Sequence, residues 1–375
     1  MWISSFLAIL LQVSLSAQEP TQTSPTKRNY SEVKPPNIIL LIGDGMGLSQ
    51  MSSALFYGEQ SPNYERFPVV GLSKTSSSSH KITDSAAGAT AFSAGTKTYN
   101  GAIGMGADST AVPTLLEDLA QQNWRTGLIA TSSITHATPA SFYAHVKLRK
   151  QEFEIAEQLL TAPVHFFAGG GIRYFSNRLD ERNLLQEAEA YRLRIDTNAL
   201  HPRKWNSKDR YGYLLAKGGM PRMLDGRGDF LTAATQMAFS YFDNFGQDPF
   251  FLMVEGSQVD WGGHANDGEY LTTEMLDFDQ AIGAALDYAE KDGNTLVIVT
   301  ADHECGGFAL VSEEIDVPFQ GSRRDYDSLR FSFTSGGHSA TMVPVLAYGP
   351  GAEKFSGIYE NTAIYAKIKA ILAEH

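Results

Sequence analysis

The residues able to do chemistry in this chain stand just after apolar runs. Asp44 follows Asn37–Ile42 (NIILLI), inside Gly43-Asp44-Gly45-Met46-Gly47. Glu255 closes the run FFLMVE, and Asp260 and His264 follow it. Asp302 and His303 close a further run, in Thr300-Ala301-Asp302-His303-Glu304. Such carboxylates and imidazoles are ligands for divalent cations: Asp with His suits Zn²⁺, and Glu with other hard oxygens suits Mg²⁺. Taken singly, each segment also has a plainer reading. Asp44 is equally a turn residue between glycines, and Glu255, Asp260 and His264 are loop polars near a helix start. His338, in Gly336-Gly337-His338-Ser339, read alone is a surface histidine. Two familiar motifs are excluded by spacing. The third glycine after Ile42 comes one position early for G-x-G-x-x-G, and Asp44 would intrude where a pyrophosphate needs backbone donors. His303-Glu304 is not part of H-E-x-x-H, because no second His follows at i+4.

Thr83-Asp84-Ser85-Ala86-Ala87-Gly88-Ala89-Thr90 is a run of small residues. It predicts a tightly packed helix with Ser85 at its start and Gly95 as a cap at its end. A helix N-terminus favours an anion, alkoxide or phosphate. A lone Asp-Ser pair is more often a helix cap with no chemistry.

Apolar runs without alternation suit strands covered on both faces. They occur at Asn37–Ile42, Thr126–Ala130, Val164–Ala168, Phe250–Val254, Thr295–Val299 and Val343–Ala347. Helical patterns lie between them, at Val112–Gln122, Gln151–Leu160, Leu231–Phe242, Tyr270–Lys291 and Tyr359–Ala373. This alternation predicts a doubly wound α/β fold, a mostly parallel central sheet with helices on both faces. In such a sheet ligands bind at the carboxyl ends of strands, so segments far apart in sequence can meet there. Asp260 and His264 are spaced to share a helix face, but Gly262 and Gly263 between them point to a bent loop. Arg173–Arg227 and Glu313–Gly337 are polar and irregular, and read as small surface insertions.

With 43% hydrophobic and 19% charged residues, the 375-residue chain is an ordinary globular protein. Its formal net charge of -12 argues against non-specific binding to nucleic acid or an acidic membrane surface. An anionic small substrate stays open, because a metal cluster reverses the field locally. The first residues, MWISSFLAILLQVSLSAQEP, read as a secretory signal cleaved near Ser16 or Ala17; the apolar run is too short to anchor the chain in a bilayer. The expected organisation is a signal peptide over 1–17, a flexible lead-in over 18–35, and a single catalytic domain over 36–375. The one cysteine, Cys305, allows no disulfide within a chain and reads as a small residue beside a metal site.

Taken together, IGDGMG, TDSAAGATA, GTKTYNGAIG, THATP, EGSQVDWGGH, ADHECGG and GGHSA resemble the motifs of alkaline phosphatases, in order and spread from Asp44 to His338. Each motif is weak alone; their joint occurrence is highly specific. The compact size and Trp261 look most like the small bacterial, cold-adapted members. The resemblance implies two Zn²⁺ and one Mg²⁺ per subunit. Asp260, His264 and His338 would hold the first Zn²⁺. Asp44, Asp302 and His303 would hold the second, beside the nucleophile Ser85. Asp44, Thr138 and Glu255 would hold Mg²⁺. His136, where some members carry Asp, could coordinate directly and turn that third site toward Zn²⁺. Arg149, thirteen positions after His136, would clamp the phosphate with two parallel donors. Trp261 stands near the phosphate where other members have Lys or His. The implied activity is hydrolysis of small phosphate monoesters through a phosphoserine, working best above neutral pH, in a secreted or periplasmic homodimer. Nucleic acid would enter only through terminal phosphates, and no membrane anchor is expected. Among rivals, sulfatases need C/S-x-P-S-R where Ser85 is followed by Ala-Ala, and diesterases of the superfamily commonly use Thr as nucleophile. A non-catalytic phosphate or metal binder would need no nucleophile at all.

Overall fold

Every residue of strand β1 (Asn37–Gly43) is buried. Its side chains alternate between two cores, which is why the run shows no polar alternation. Ile38, Leu40 and Ile42 belong to one core cluster with Phe92, Leu115, Ile155 and Ile364. Ile39 and Leu41 belong to the cluster on the other face, with Met51, Leu231, Leu271 and Ile282. The computed structural model describes residues 34–246, 248–318 and 321–375. The expected signal peptide and nearly all of the lead-in lie outside the described residues.

The strands after β1 are β2 (Val69–Lys74), β3 (Arg125–Ser133), β4 (Phe166–Gly170), β5 (Leu193–Asp196), β6 (Arg210–Leu214) and β7 (Phe250–Gly256). Then come β8 (Thr295–Thr300), β9 (Glu304–Cys305), β10 (Ala309–Val317), β11 (Gly321–Ser332), β12 (His338–Ser339), β13 (Val343–Tyr348) and β14 (Gly357–Glu360). Ten of them form one sheet, in the order β14-β2-β13-β8-β1-β7-β3-β4-β6-β5. Neighbours run parallel except on either side of β13. Helices cover both faces: Ser85–Ala94, Leu115–Gln121, Glu152–Thr161 and Thr362–Leu372 on one, Leu48–Tyr57, Phe230–Asp243 and Gly268–Asp292 on the other. The fold is the doubly wound, mostly parallel α/β sheet expected from the sequence.

Four local differences have physical reasons. Arg173–Arg227 is more than a surface insertion, because it supplies β5 and β6, the end of the sheet. Glu313–Gly337 is largely the antiparallel hairpin β10–β11, mostly exposed and so without a buried stripe. Tyr359 and Glu360 belong to β14, paired with β2, and the last helix starts at Thr362 behind Asn361, whose side chain caps it. Gln258–Ala265 is a helix, not a bent loop. Its glycines serve close approach: a Cβ on Gly262 would sit 2.6 Å from the Leu271 nitrogen, and one on Gly263 3.0 Å from Cys305.

Candidate active site

The four strands β8, β1, β7 and β3 are consecutive in the sheet, and each delivers polar groups at its carboxyl end. Asp44 is the first residue after β1, and its N–H donates to the Gly256 carbonyl at the end of β7. Glu255 is the penultimate residue of β7, while Asp302 and His303 follow β8. His136 precedes the short helix Ala137–Ala140, which carries Thr138, just beyond β3. Helix Gln258–Ala265 leads away from β7 with Asp260 and His264 one turn apart. His338 reaches the same place because β12 pairs with β9, setting His338 opposite Cys305.

Ser85 is the first residue of helix Ser85–Ala94, and Asp84 before it is the true cap, accepting from the Ala87 N–H. Gly95 closes the helix in a left-handed conformation, φ 65°. Ser85 Oγ lies 3.3 Å from His303 Nε2 and 3.5 Å from Asp44 Oδ1. Side chains from Asp44 to His338 thus converge on one hydroxyl at a helix N-terminus, where the backbone favours negative charge.

Three groups of donor atoms surround it. His264 Nε2 and His338 Nε2 each lie 3.4 Å from an Asp260 carboxylate oxygen and 3.1 Å from each other, with the Cys305 thiol in the same cluster. The other ring nitrogens are anchored: His338 Nδ1 at the Thr83 carbonyl, His264 Nδ1 at the Gly336 carbonyl. In the second group His303 Nε2 stands 3.3 Å from Asp302 Oδ2 and 3.5 Å from Asp44 Oδ1. In the third, Asp44, His136 and Glu255 bring donor atoms within 4.8 Å of one another. Thr138 is fully buried beside them.

Burial sets the electrostatics. It is the main force pushing the Asp44 carboxyl well above the ordinary range, helped by Asp302, Asp260 and Glu255. Glu255 is likewise raised by burial, to about 7, although neighbouring hydroxyls such as Ser257 work against it. Burial alone would raise Asp260, but His338, His303 and His264 hold it below the ordinary range. Burial lowers His303. Burial also opposes a charge on His338, which the Asp260 carboxylate nevertheless holds above the usual imidazole value.

The residues fit metal ions. Asp44 Oδ2, Glu255 Oε1, Asp260 Oδ1, Asp302 Oδ2, Thr138 Oγ1, His136 Nδ1 and His303 Nδ1 are buried without any hydrogen-bond partner. Orphaned polar atoms of this kind are costly unless something else binds them. A cluster of carboxylate oxygens and imidazole nitrogens calls for divalent cations, oxygen-rich at Glu255 and Thr138, nitrogen-rich at His264 and His338.

Arg149 lies at the rim of this cluster. Its Nη1 donates to Asp84 Oδ2 at 3.1 Å, and its Nη2 to His136 Nε2 at 3.0 Å. Trp261 meets the His136 ring edge-on at 6.0 Å. Two residues here were not anticipated from the sequence. Asp84 anchors Arg149; a carboxylate preceding a run of helix formers is the signal that could have found it. Glu152 accepts from Ser133 Oγ, Thr135 Oγ1 and Tyr174 OH and ties its own segment to the end of β3. No local pattern marks it. A groove of about 910 Å³ beside Tyr57, Asn63 and Asp277 shares no residue with the donor groups.

A family profile described as "Alkaline phosphatase" matches residues 35–331. Alkaline phosphatase 3 of Bacillus subtilis is 33% identical, over 96% of this chain and 94% of its own length. The solved alkaline phosphatase from the Antarctic bacterium TAB5 is 52% identical with a TM-score of 0.87, covering 91% of this chain and 100% of that one. At that identity this chain is a relative of the Antarctic enzyme and not the same protein. A histidine-to-aspartate variant of that enzyme, with Mg bound in its M3 site, superposes equally well, at 51% identity and TM-score 0.87, over 91% of this chain and 99% of that one.

Proposed function

The chain belongs to the alkaline phosphatase family, metal-dependent enzymes that hydrolyse phosphate monoesters, and from that premise we propose that its turnover runs through a phosphoserine on Ser85. One observation carries this: Ser85 Oγ is the only hydroxyl set against both Asp44 and His303 at a helix start among the described residues.

Asp260, His264 and His338 would hold one Zn²⁺, and Asp44, Asp302 and His303 a second. Asp44, Glu255, Thr138 and His136 would hold a third ion, Mg²⁺ or Zn²⁺. Bound there, such cations supply Lewis-acid stabilisation of the phosphate charge and of the entering and leaving oxygens. The protein's part is positional. Ser85 Oγ gives up its proton and attacks phosphorus in line, forming one O–P bond as the bond to the alcohol breaks, and the departing alcohol oxygen takes up a proton in turn. The helix N-terminus favours the anionic phosphoryl group as it arrives. Arg149, anchored by Asp84, presents donors to the phosphate oxygens, and Trp261 borders them without adding charge. Water then displaces Ser85, so two inversions give net retention.

The same reading extends to processing and assembly. Residues 1–17 would be a signal peptide and 18–35 a lead-in, ahead of one catalytic domain over 36–375. The product would be a secreted or periplasmic homodimer acting on small phosphate monoesters, without nucleic-acid binding beyond terminal phosphates and without a membrane anchor. No helix among the described residues is long and apolar enough to cross a membrane.

Hydrolysis of p-nitrophenyl phosphate at alkaline pH, with and without chelator and in Ser85→Ala, tests the core. Chelator-sensitive activity that collapses in Ser85→Ala, with phosphate trapped on Ser85 after acid quench, is expected. Full activity in Ser85→Ala would overturn the phosphoserine and leave direct attack by water.

A further inference from the structure

The contact between His136 and Arg149 has a consequence for what the two residues can do together. Arg149 Nη2 lies 3.0 Å from His136 Nε2. A guanidinium carries donors only, so Nε2 accepts. A ring that accepts at Nε2 is the neutral imidazole, since both nitrogens of the imidazolium carry protons. A neutral imidazole has one nitrogen that accepts and one that carries the proton. Here the proton is on Nδ1, which is buried and has no hydrogen-bond partner. The ring also stands with Asp44 and Glu255 in one group of donor atoms within 4.8 Å.

A cation needs the same lone pair that Arg149 uses. Taken at Nε2, the cation displaces the guanidinium outright. Taken at Nδ1, it sends the proton to Nε2, which then faces Arg149 donor against donor. We propose that His136 is a positioning residue whose ring either holds Arg149 Nη2 or ligates a cation, so that cation ligation at the third site releases this donor to the substrate phosphate. The proposal rests on the reading of that third site given above. Arg149 keeps its hold on Asp84 through Nη1, which confines the change to one arm of the guanidinium. A carboxylate in place of His136 would not force the choice, since its oxygens can accept from Arg149 and bind a cation at once. By linkage, phosphate in turn tightens the cation.

Nitrogen NMR of the histidine-labelled chain reads the ring directly, with His136→Gln assigning the signal. After chelation the ring is expected to carry its proton on Nδ1, and to change state as Zn²⁺ is titrated in. Calorimetric titration with inorganic phosphate gives the second readout. Filling the third site should tighten phosphate roughly tenfold in the wild type, the worth of one charge-assisted hydrogen bond. In His136→Gln, whose amide oxygen has two lone pairs, that increment should vanish. A proton on Nε2 in the chelated chain, or an equal increment in both proteins, overturns the proposal. Neither readout needs turnover. The expected tautomer change together with full activity in Ser85→Ala would leave this coupling standing and overturn the phosphoserine alone.

Discussion

Asp84 Oδ2 accepts from Arg149 Nη1 at 3.1 Å, so the residue before Ser85 also anchors the arginine proposed to clamp phosphate. The other oxygen, Oδ1, caps the helix that begins at Ser85 by accepting from the Ala87 N–H, and both oxygens accept from the Gly101 N–H. One carboxylate therefore fixes Ser85 and Arg149 relative to each other.

Replacing Asp84 should separate its two tasks. Asp84→Ala is expected to lose about 1 kcal/mol of stability with the cap. Asp84→Asn keeps a capping oxygen but weakens the charged link, and should raise KM about tenfold with a smaller fall in kcat. Steady-state kinetics and thermal melts of both variants check this; an unchanged KM in Asp84→Asn would sink the anchoring role.

Metal removal should be visible in stability as well as in rate. Each cation held at a hundred times its dissociation constant contributes about 2.7 kcal/mol. Chelator should therefore lower the melting temperature sharply, and Zn²⁺ with Mg²⁺ should restore both melt and activity. Identical calorimetric traces with and without chelator would remove the cations from the orphaned atoms around Asp44.

A pH effect is expected away from the metal groups. His145 Nε2 meets Glu117 Oε1 at 3.0 Å. That hydrogen bond raises the His145 pKa, although burial opposes it. Burial would raise Glu117, but His145 and the Thr114 backbone hold it below the ordinary range. The His145 contribution is complete below the unfolded imidazole value and is lost as pH rises through the raised folded one. The Glu117 contribution is present above the unfolded carboxyl value and is lost as pH falls through the lowered folded one. The pair thus matters most in mildly acidic solution, by roughly 0.5–1 kcal/mol. The melting difference between wild type and His145→Gln should be largest near pH 5.5, where His145 is still protonated and Glu117 ionised, and shrink at alkaline pH. A difference independent of pH would contradict it.

Arg227 is buried completely between Glu274 and Asp277, with Nη2 2.7 Å from Asp277 Oδ2. Both acids sit on helix Gly268–Asp292, directly behind the helix that carries Asp260 and His264. Arg227→Met would strand two buried carboxylates and should cost about 3–5 kcal/mol. Adding Glu274→Gln and Asp277→Asn to it should recover much of that loss in denaturant melts. Failure of the triple variant to recover would show that packing of the guanidinium, not its charge, is what counts.

The centre of this fold is legible because burial on both faces leaves an unbroken apolar run, as in β1, β7 and β8. The edge is not. β2 mixes buried and exposed residues, and β5 is four residues long with only Leu193 buried. Neither has enough pattern to stand out from a loop. The helix through Gly262 and Gly263 was illegible for a different reason. Propensity reads the glycines as breakers, whereas packing against Leu271 and Cys305 requires them. Among the site residues, carboxylates and histidines after apolar runs were readable as candidates, since strand ends are where such sheets bind ligands. Their grouping into sets came from the resemblance. The contacts of Asp84 with Arg149, and of Glu152 with Ser133, Thr135 and Tyr174, exist only once the chain has folded, so no sequence pattern shows them.

The position of β1 also governs when the enzyme can first work. It is the earliest strand of the sheet to leave the ribosome, yet its partners are late. Asn37 bonds to Phe250 across 213 positions and to Thr295 across 258. Until those stretches have been synthesised, β1 has neither of its two neighbours, and Asp44 at its tip stands without Glu255 or Asp302. His338 comes later still. A chain stopped short of that histidine, however long, carries Ser85 without the full set of donor atoms around it, so the site becomes complete as one of the last events in the protein's making.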